Sequence, residues 1–199
     1  MFDSLIRFVR EQYLSDAFIP LHAPVFLGRE REYVLDTIES TFVSSVGVYV
    51  NQFERDIISY TGSQSAVASV NGTAALHVAL KLAGVKSGEL VITQPLTFVA
   101  TCNAISYCDA EPVFIDVDRH TLGLSPTALA IWLEEHAQLA DDGLCRTKTD
   151  NRVIRACLPM HTFGHPAELD GLVAVCAQWN LVLIEDAAES LGSFYKGRH

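Results

Sequence analysis

Val153-Ile154-Arg155-Ala156-Cys157-Leu158, an amphipathic stretch from Glu168 to Trp179, then Leu181-Val182-Leu183-Ile184 running straight into Glu185-Asp186: this segment decides the fold. Two short apolar runs flank one helical pattern, which is the arrangement of a strand, a crossover helix and a parallel strand. The runs are near-continuously apolar, with Arg155 the one charged residue in them, instead of alternating, so both of their faces expect cover. Working back toward the N-terminus, the pattern recurs. Leu90-Val91-Ile92-Thr93 reads as a strand, followed by a helix from Ala100 to Tyr107. Pro112 to Asp116 reads as a strand, and Ser125-Pro126 supplies a cap and a first-turn proline for a helix ending near Leu139. Asp141 to Arg152 reads as a polar loop. Ala66-Val67-Ala68-Ser69-Val70 reads as a further strand, with a helix from Thr73 to Ala83 behind it.

The expected fold class is therefore α/β, a mostly parallel sheet flanked by helices. Residues 64–199 form that part, and 1–63 are expected to be a helical N-terminal segment. Within the latter, helical patterns cover Leu5 to Tyr13, Arg29 to Thr41 and Asn51 to Tyr60, and Gly62 stops the last of them.

Composition narrows the function. The chain has 199 residues, 49% hydrophobic and 19% charged, which excludes a disordered chain. No apolar run approaches the length of a membrane span. The net charge of −10, with no cluster of Lys or Arg, argues against nucleic-acid binding. Five cysteines without a CxxC spacing fit reduced thiols in a cytoplasmic protein. The mixed start Met1-Phe2-Asp3-Ser4-Leu5 does not read as a secretion signal.

Ligands of open parallel sheets bind beyond the carboxyl ends of the strands, and the polar residues of this chain gather there. Asn71-Gly72-Thr73 opens a helix, so Gly72, Thr73 and the free N–H groups of that turn could cup a phosphate, or Asn71 could be an ordinary cap. Phe98 could stack on a flat ring or belong to the core. Asp186, after four apolar residues, would be half buried and needs a cationic or donor partner; it reads as a counter-ion to a ring nitrogen, or as a cap for the next turn. Glu185 points the opposite way along the strand and reads as structural. His161 and His165 form an HxxxH, but Gly164 and Pro166 oppose the helix that a metal pair needs, so no metal is expected. His77 reads as a core histidine.

The motifs Asn71-Gly72-Thr73-Ala74-Ala75-Leu76, Pro95-Leu96-Thr97-Phe98-Val99-Ala100-Thr101 and Glu185-Asp186-Ala187-Ala188-Glu189-Ser190-Leu191-Gly192 together resemble the DegT/DnrJ/EryC1/StrS sugar aminotransferases, pyridoxal phosphate (PLP) enzymes of fold type I. Phe42-Val43-Ser44-Ser45-Val46-Gly47 and Pro159-Met160-His161-Thr162-Phe163-Gly164-His165-Pro166 look most like the LegC-type branch, which aminates a nucleotide-linked 4-keto-6-deoxy sugar on the way to nonulosonic acids. The resemblance implies pyridoxal 5'-phosphate as cofactor. Thr73 and Ala74 match the phosphate turn, and Phe98 the ring-stacking aromatic. Asp186 matches the acid facing the pyridinium nitrogen, and Glu189 a position near the ring hydroxyl. Ser45 and His161 are the candidate substrate contacts. The resemblance also implies a nucleotide-sugar substrate, glutamate as amino donor and a homodimer. The Schiff-base lysine of the family lies in a motif beyond Gly192 to His199 and is not present in this chain, because Lys196 matches a surface Lys-Gly turn. The chain is thus expected to be the N-terminal portion of such an enzyme, inactive alone, without the small C-terminal domain. The rival expectations are a non-catalytic sugar-nucleotide or PLP binding module, and a Rossmann-type enzyme, against which the missing GxGxxG counts.

Overall fold

The computed structural model describes residues 2–20 and 23–198. The chain divides into two compact units, 1–51 and 52–199, with the boundary inside one helix.

The first unit carries α1 (Asp3–Tyr13), α2 (Glu30–Glu39) and the start of α3 (Val48–Thr61). Neither α1 nor α2 holds a buried residue. Tyr33 packs against Tyr49 with ring centroids 5.0 Å apart, and the Tyr49 hydroxyl donates to Asp36 at 2.8 Å. Ser45 is exposed in the short turn between α2 and α3.

The second unit holds a four-stranded sheet in the order β2-β1-β5-β6, every neighbouring pair parallel. The strands are β1 (Leu90–Thr93), β2 (Glu111–Phe114), β5 (Ile154–Cys157) and β6 (Val182–Leu183). Helices α4 (Gly72–Leu82) and α5 (Val99–Ser106) pack with one apolar cluster; α6 (Pro126–His136) and α7 (Leu169–Gln178) pack with the other. Alternate strand residues serve the two clusters. Val91 meets Leu80 and Ile105 on the α4/α5 face, while Ile92 meets Leu129 and Leu172 on the α6/α7 face. All four residues of β1 are buried, the three apolar ones and Thr93 alike, as a strand covered on both faces requires. The expected α/β class and its parallel sheet are therefore observed.

Two expectations about elements are corrected. Residues 66–70 are not a strand: Val67 and Val70 are 87% and 89% exposed, and the Ala68 N–H donates to the Glu54 carboxylate at 2.8 Å instead of to a ladder. The helix expected to reach Leu139 ends at His136. Ala137–Leu139 is β3, antiparallel to β4 (Cys145–Thr147) inside the expected polar loop. Gly143, at φ +76°, closes that hairpin through its N–H to the Ala140 carbonyl.

Candidate active site at the carboxyl edge of the sheet

Chain order reverses between β1 and β5. From β1 the chain steps outward to β2, then crosses back to the far side of β1. The loops leaving β1 and β5 therefore part at this point and open a crevice. The Thr93 hydroxyl ties the two strand ends by donating to the Leu158 carbonyl at 2.7 Å. Gln94, fully buried, is the hub of the crevice floor. Its Oε1 accepts from the N–H groups of Leu124 (2.7 Å) and Met160 (3.2 Å), and its Nε2 donates to the Leu96 carbonyl (2.9 Å) and the Thr162 hydroxyl (3.0 Å).

Asp186 lies at the end of the β6 run and is 4% exposed. It pairs across a parallel bridge with Met160. Ile184, two residues earlier, packs on the α4/α5 face, and Asp186 turns to the same face. There the Thr101 hydroxyl of α5 donates to Oδ2 at 2.6 Å, and the Ala188 N–H reaches Oδ1 at 3.3 Å. The partner that a buried carboxylate needs is thus a hydroxyl and a backbone N–H, not a cation. Phe98 is the N-cap residue of α5 and 69% exposed, so its ring is free of the core. Its N–H donates to the Met160 sulfur at 3.4 Å. Asp186 and Phe98 are therefore drawn to one place by shared neighbours, Met160 and the first turn of α5.

Gly72, Thr73 and Ala74 form the first turn of α4. The Asn71 side chain accepts from the Ala74 N–H at 2.9 Å, so Asn71 is a cap and Ala74 is already bonded. Among the described residues the N–H groups of Gly72 and Thr73 keep no partner, as the first groups of a helix do. A Cβ on Gly72 would meet nothing within 4 Å, so the turn is open to a phosphate. Glu189 is exposed in the loop after Asp186. Its carbonyl sits where a Cβ on Gly164 would be, 2.6 Å away, which fixes that loop against the one after β5.

His161 is buried, on the opposite face. Its Nδ1 accepts the Ala167 N–H at 3.1 Å, which leaves Nε2–H to donate to Glu185 at 2.9 Å. His161 and Glu185 line a cavity of about 330 Å³ with Leu169 and Leu191. Ser45 belongs to the first unit and His161 to the second. His165 is exposed and follows a single turn, Thr162–Gly164, so the two histidines do not share a helical face. His77 is half-buried, edge-on to Tyr107. Burial pushes the thiols of Cys102, Cys108 and Cys145 above their usual range, Cys145 to about 11, which keeps them protonated and unsuited to attack.

None of the four lysines stands at the carboxyl edge of the four-stranded sheet. Lys81 is in the last turn of α4 and Lys86 precedes β1, at the opposite edge of the sheet. Lys148 donates to the Glu135 carbonyl at the end of α6. Lys196 is paired with Asp170.

Sequence reasoning missed Thr101, Met160 and Gln94 as parts of this site. A buried glutamine at the end of an apolar run was the one signal available for Gln94. Thr101 closes the Pro95–Thr101 motif, but nothing in that motif marks it as the partner of Asp186.

The profile of the DegT/DnrJ/EryC1/StrS aminotransferase family matches residues 27–199. The chain is 39% identical over 180 residues to EpsN of Bacillus subtilis (strain 168), whose name places it with the pyridoxal phosphate-dependent aminotransferases. It is 36% identical over 180 residues to the GDP-perosamine synthase of Caulobacter vibrioides. Each alignment covers 90% of this chain and 44% of the relative, so the chain spans less than half the length of these proteins. The X-ray structure of an aminotransferase from Psychrobacter cryohalolentis superposes with a TM-score of 0.74 at 31% identity, over 92% of this chain and 42% of that one.

Proposed function

The chain belongs to the DegT/DnrJ/EryC1/StrS aminotransferase family, and on that premise we propose that it is the cofactor-binding part of a PLP-dependent sugar-nucleotide aminotransferase. The observation that carries this reading is Asp186, a carboxylate buried at the carboxyl edge of a parallel sheet, which shares Met160 and the first turn of α5 with an exposed phenylalanine, Phe98. A carboxylate in that setting suits a protonated ring nitrogen.

The residues fit the cofactor. Gly72 and Thr73 would bind its phosphate through free N–H groups at the positive end of α4. Phe98 would cover one ring face and exclude water from it. Asp186 would hold a proton at the ring nitrogen, and Glu189 would stand near the ring hydroxyl. When bound, pyridoxal phosphate supplies an electron sink for the pair left on carbon as a proton departs. Asp186 keeps that sink effective by compensating the ring's positive charge in a dry place.

The reaction we assign is amination of a nucleotide-linked 4-keto-6-deoxy sugar to the 4-amino sugar, with glutamate as amino donor. The setting is nonulosonic acid or other surface polysaccharide synthesis, in the LegC-like branch. The complete enzyme would be a cytoplasmic homodimer. The loops 42–47 and 159–166, with Ser45 and His161, support the branch assignment through their sequence alone. Moving a proton between donor and acceptor carbons needs a base at the strand ends, and none of this chain's four lysines supplies it. Two measurements test the reading. Titration with pyridoxamine 5'-phosphate, which needs no covalent lysine link, should show saturable binding that Asp186→Ala weakens. The same chain with pyridoxal phosphate, glutamate and a 4-keto sugar nucleotide should give no amino sugar. Absence of cofactor binding would refute the cofactor assignment, and turnover by the 199 residues would refute the assigned need for a further base.

A further inference from the structure

Thr97, Thr101 and Asp186 lie in one short chain of oxygens. The Thr101 hydroxyl is 2.6 Å from Asp186 Oδ2 and 2.7 Å from the Thr97 hydroxyl. Proton counting fixes its direction. A carboxylate only accepts, so the single Thr101 proton goes to Asp186. In the contact between the hydroxyls Thr97 must then be the donor, and its single proton is spent. The Met160 sulfur, 3.3 Å from Thr97 Oγ1, is left to the Phe98 N–H at 3.4 Å. Thr101 is fully buried in the first turn of α5, and its own N–H is bonded to the Phe98 carbonyl. A helical threonine has two main rotamers open to it, and the contacts with Thr97 and Asp186 select one.

Building on the cofactor reading above, we infer that Thr101 is a positioning residue for Asp186. Its hydroxyl, oriented by Thr97, occupies Oδ2 and fixes the carboxylate plane. Oδ1, which has only the long contact from the Ala188 N–H at 3.3 Å, is left as the oxygen for the ring nitrogen. The first turn of α5 thereby couples the group for the ring edge, Asp186, to the group for the ring face, Phe98. A structural threonine would stabilise the fold without affecting the cofactor. A positioning threonine acts on the cofactor only while the Asp186 carboxylate is present.

The experiment uses the chain with Thr101→Val, Thr101→Ser, Asp186→Ala and the Val/Ala double substitution. Urea unfolding and the affinity for pyridoxamine 5'-phosphate are both measured. Losing one buried hydrogen bond changes an equilibrium about tenfold. Thr101→Val is therefore expected to weaken cofactor binding about tenfold, and Thr101→Ser to restore it to within about threefold. In the Asp186→Ala background the same Val substitution is expected to change binding and unfolding by no more than about twofold. Binding by Thr101→Val equal to that of the unsubstituted chain would overturn the positioning role. So would unfolding effects of equal size with and without Asp186. If the unsubstituted chain does not bind the cofactor while the unfolding coupling holds, the cofactor reading falls and the hydroxyl–carboxylate coupling stands.

Discussion

Asp186 was legible as a residue before its surroundings were. A carboxylate after four apolar residues demands a partner, and the sequence alone says that much. It does not say which partner, because Thr101 is 85 positions away in the chain and reaches Asp186 only once α5 has packed on the sheet. Asp186→Asn keeps the size of the side chain and removes its charge. In the aminotransferase proposed above it should preserve the fold and lower turnover by at least about 100-fold, since a preorganised charge in a dry site is worth that much. Near-normal turnover in a steady-state assay would remove Asp186 from its role. Gly164 carries a different prediction. It sits at φ +80° with the Glu189 carbonyl where a side chain would begin. Gly164→Ala should destabilise the unit by about 1–3 kcal/mol in urea unfolding and shift the Glu189 loop.

At the scale of elements, strands β1 and β5 could be read from apolar runs because both faces of each are covered, and β6 from the run Leu181 to Ile184 although Val182 is exposed. The false strand at 66–70 has the same kind of composition, but its amide at Ala68 found the Glu54 side chain, and no neighbouring strand competes for it. The hairpin of β3 and β4 was hidden by the opposite effect. Three-residue strands with polar residues carry no periodic signal, and their register is set by the turn at Gly143. The same scale governs the pair Glu89–Arg155, which fastens the start of β1 to β5 through bonds of 2.7 and 3.1 Å. Burial pushes the Glu89 carboxyl up, but the Arg155 fork and the Lys86 N–H outweigh it and hold it below the usual range. A carboxyl lowered by folding contributes stability that is complete above its unfolded pKa of about 4.3 and lost as the pH falls through the lower folded value. Glu89→Gln should therefore lower the melting temperature at pH 7 and make almost no difference at the acid end of the profile. An equal loss at all pH values would show that the pair's charge contributes nothing.

At the scale of the molecule, the chain exposes much apolar surface. Leu14, Phe18 and Leu27 are 92%, 89% and 90% exposed, and Val78, Phe114 and Ile131 are each more than half exposed. Surface of this kind favours association. Light scattering across a dilution series should show self-association of the isolated chain, with binding of a hydrophobic dye. A compact monomer that unfolds cooperatively and binds no dye would contradict this and favour a self-sufficient binding module. The central claim is chemical, that Asp186 keeps a cofactor ring nitrogen protonated. The most direct measurement is the nitrogen-15 chemical shift of ring-labelled pyridoxamine 5'-phosphate bound to the chain, at a pH where the free compound has lost its ring proton. The account predicts a protonated ring nitrogen in the unsubstituted chain and an unprotonated one with Asp186→Asn. An unprotonated ring nitrogen beside an intact Asp186 would contradict it.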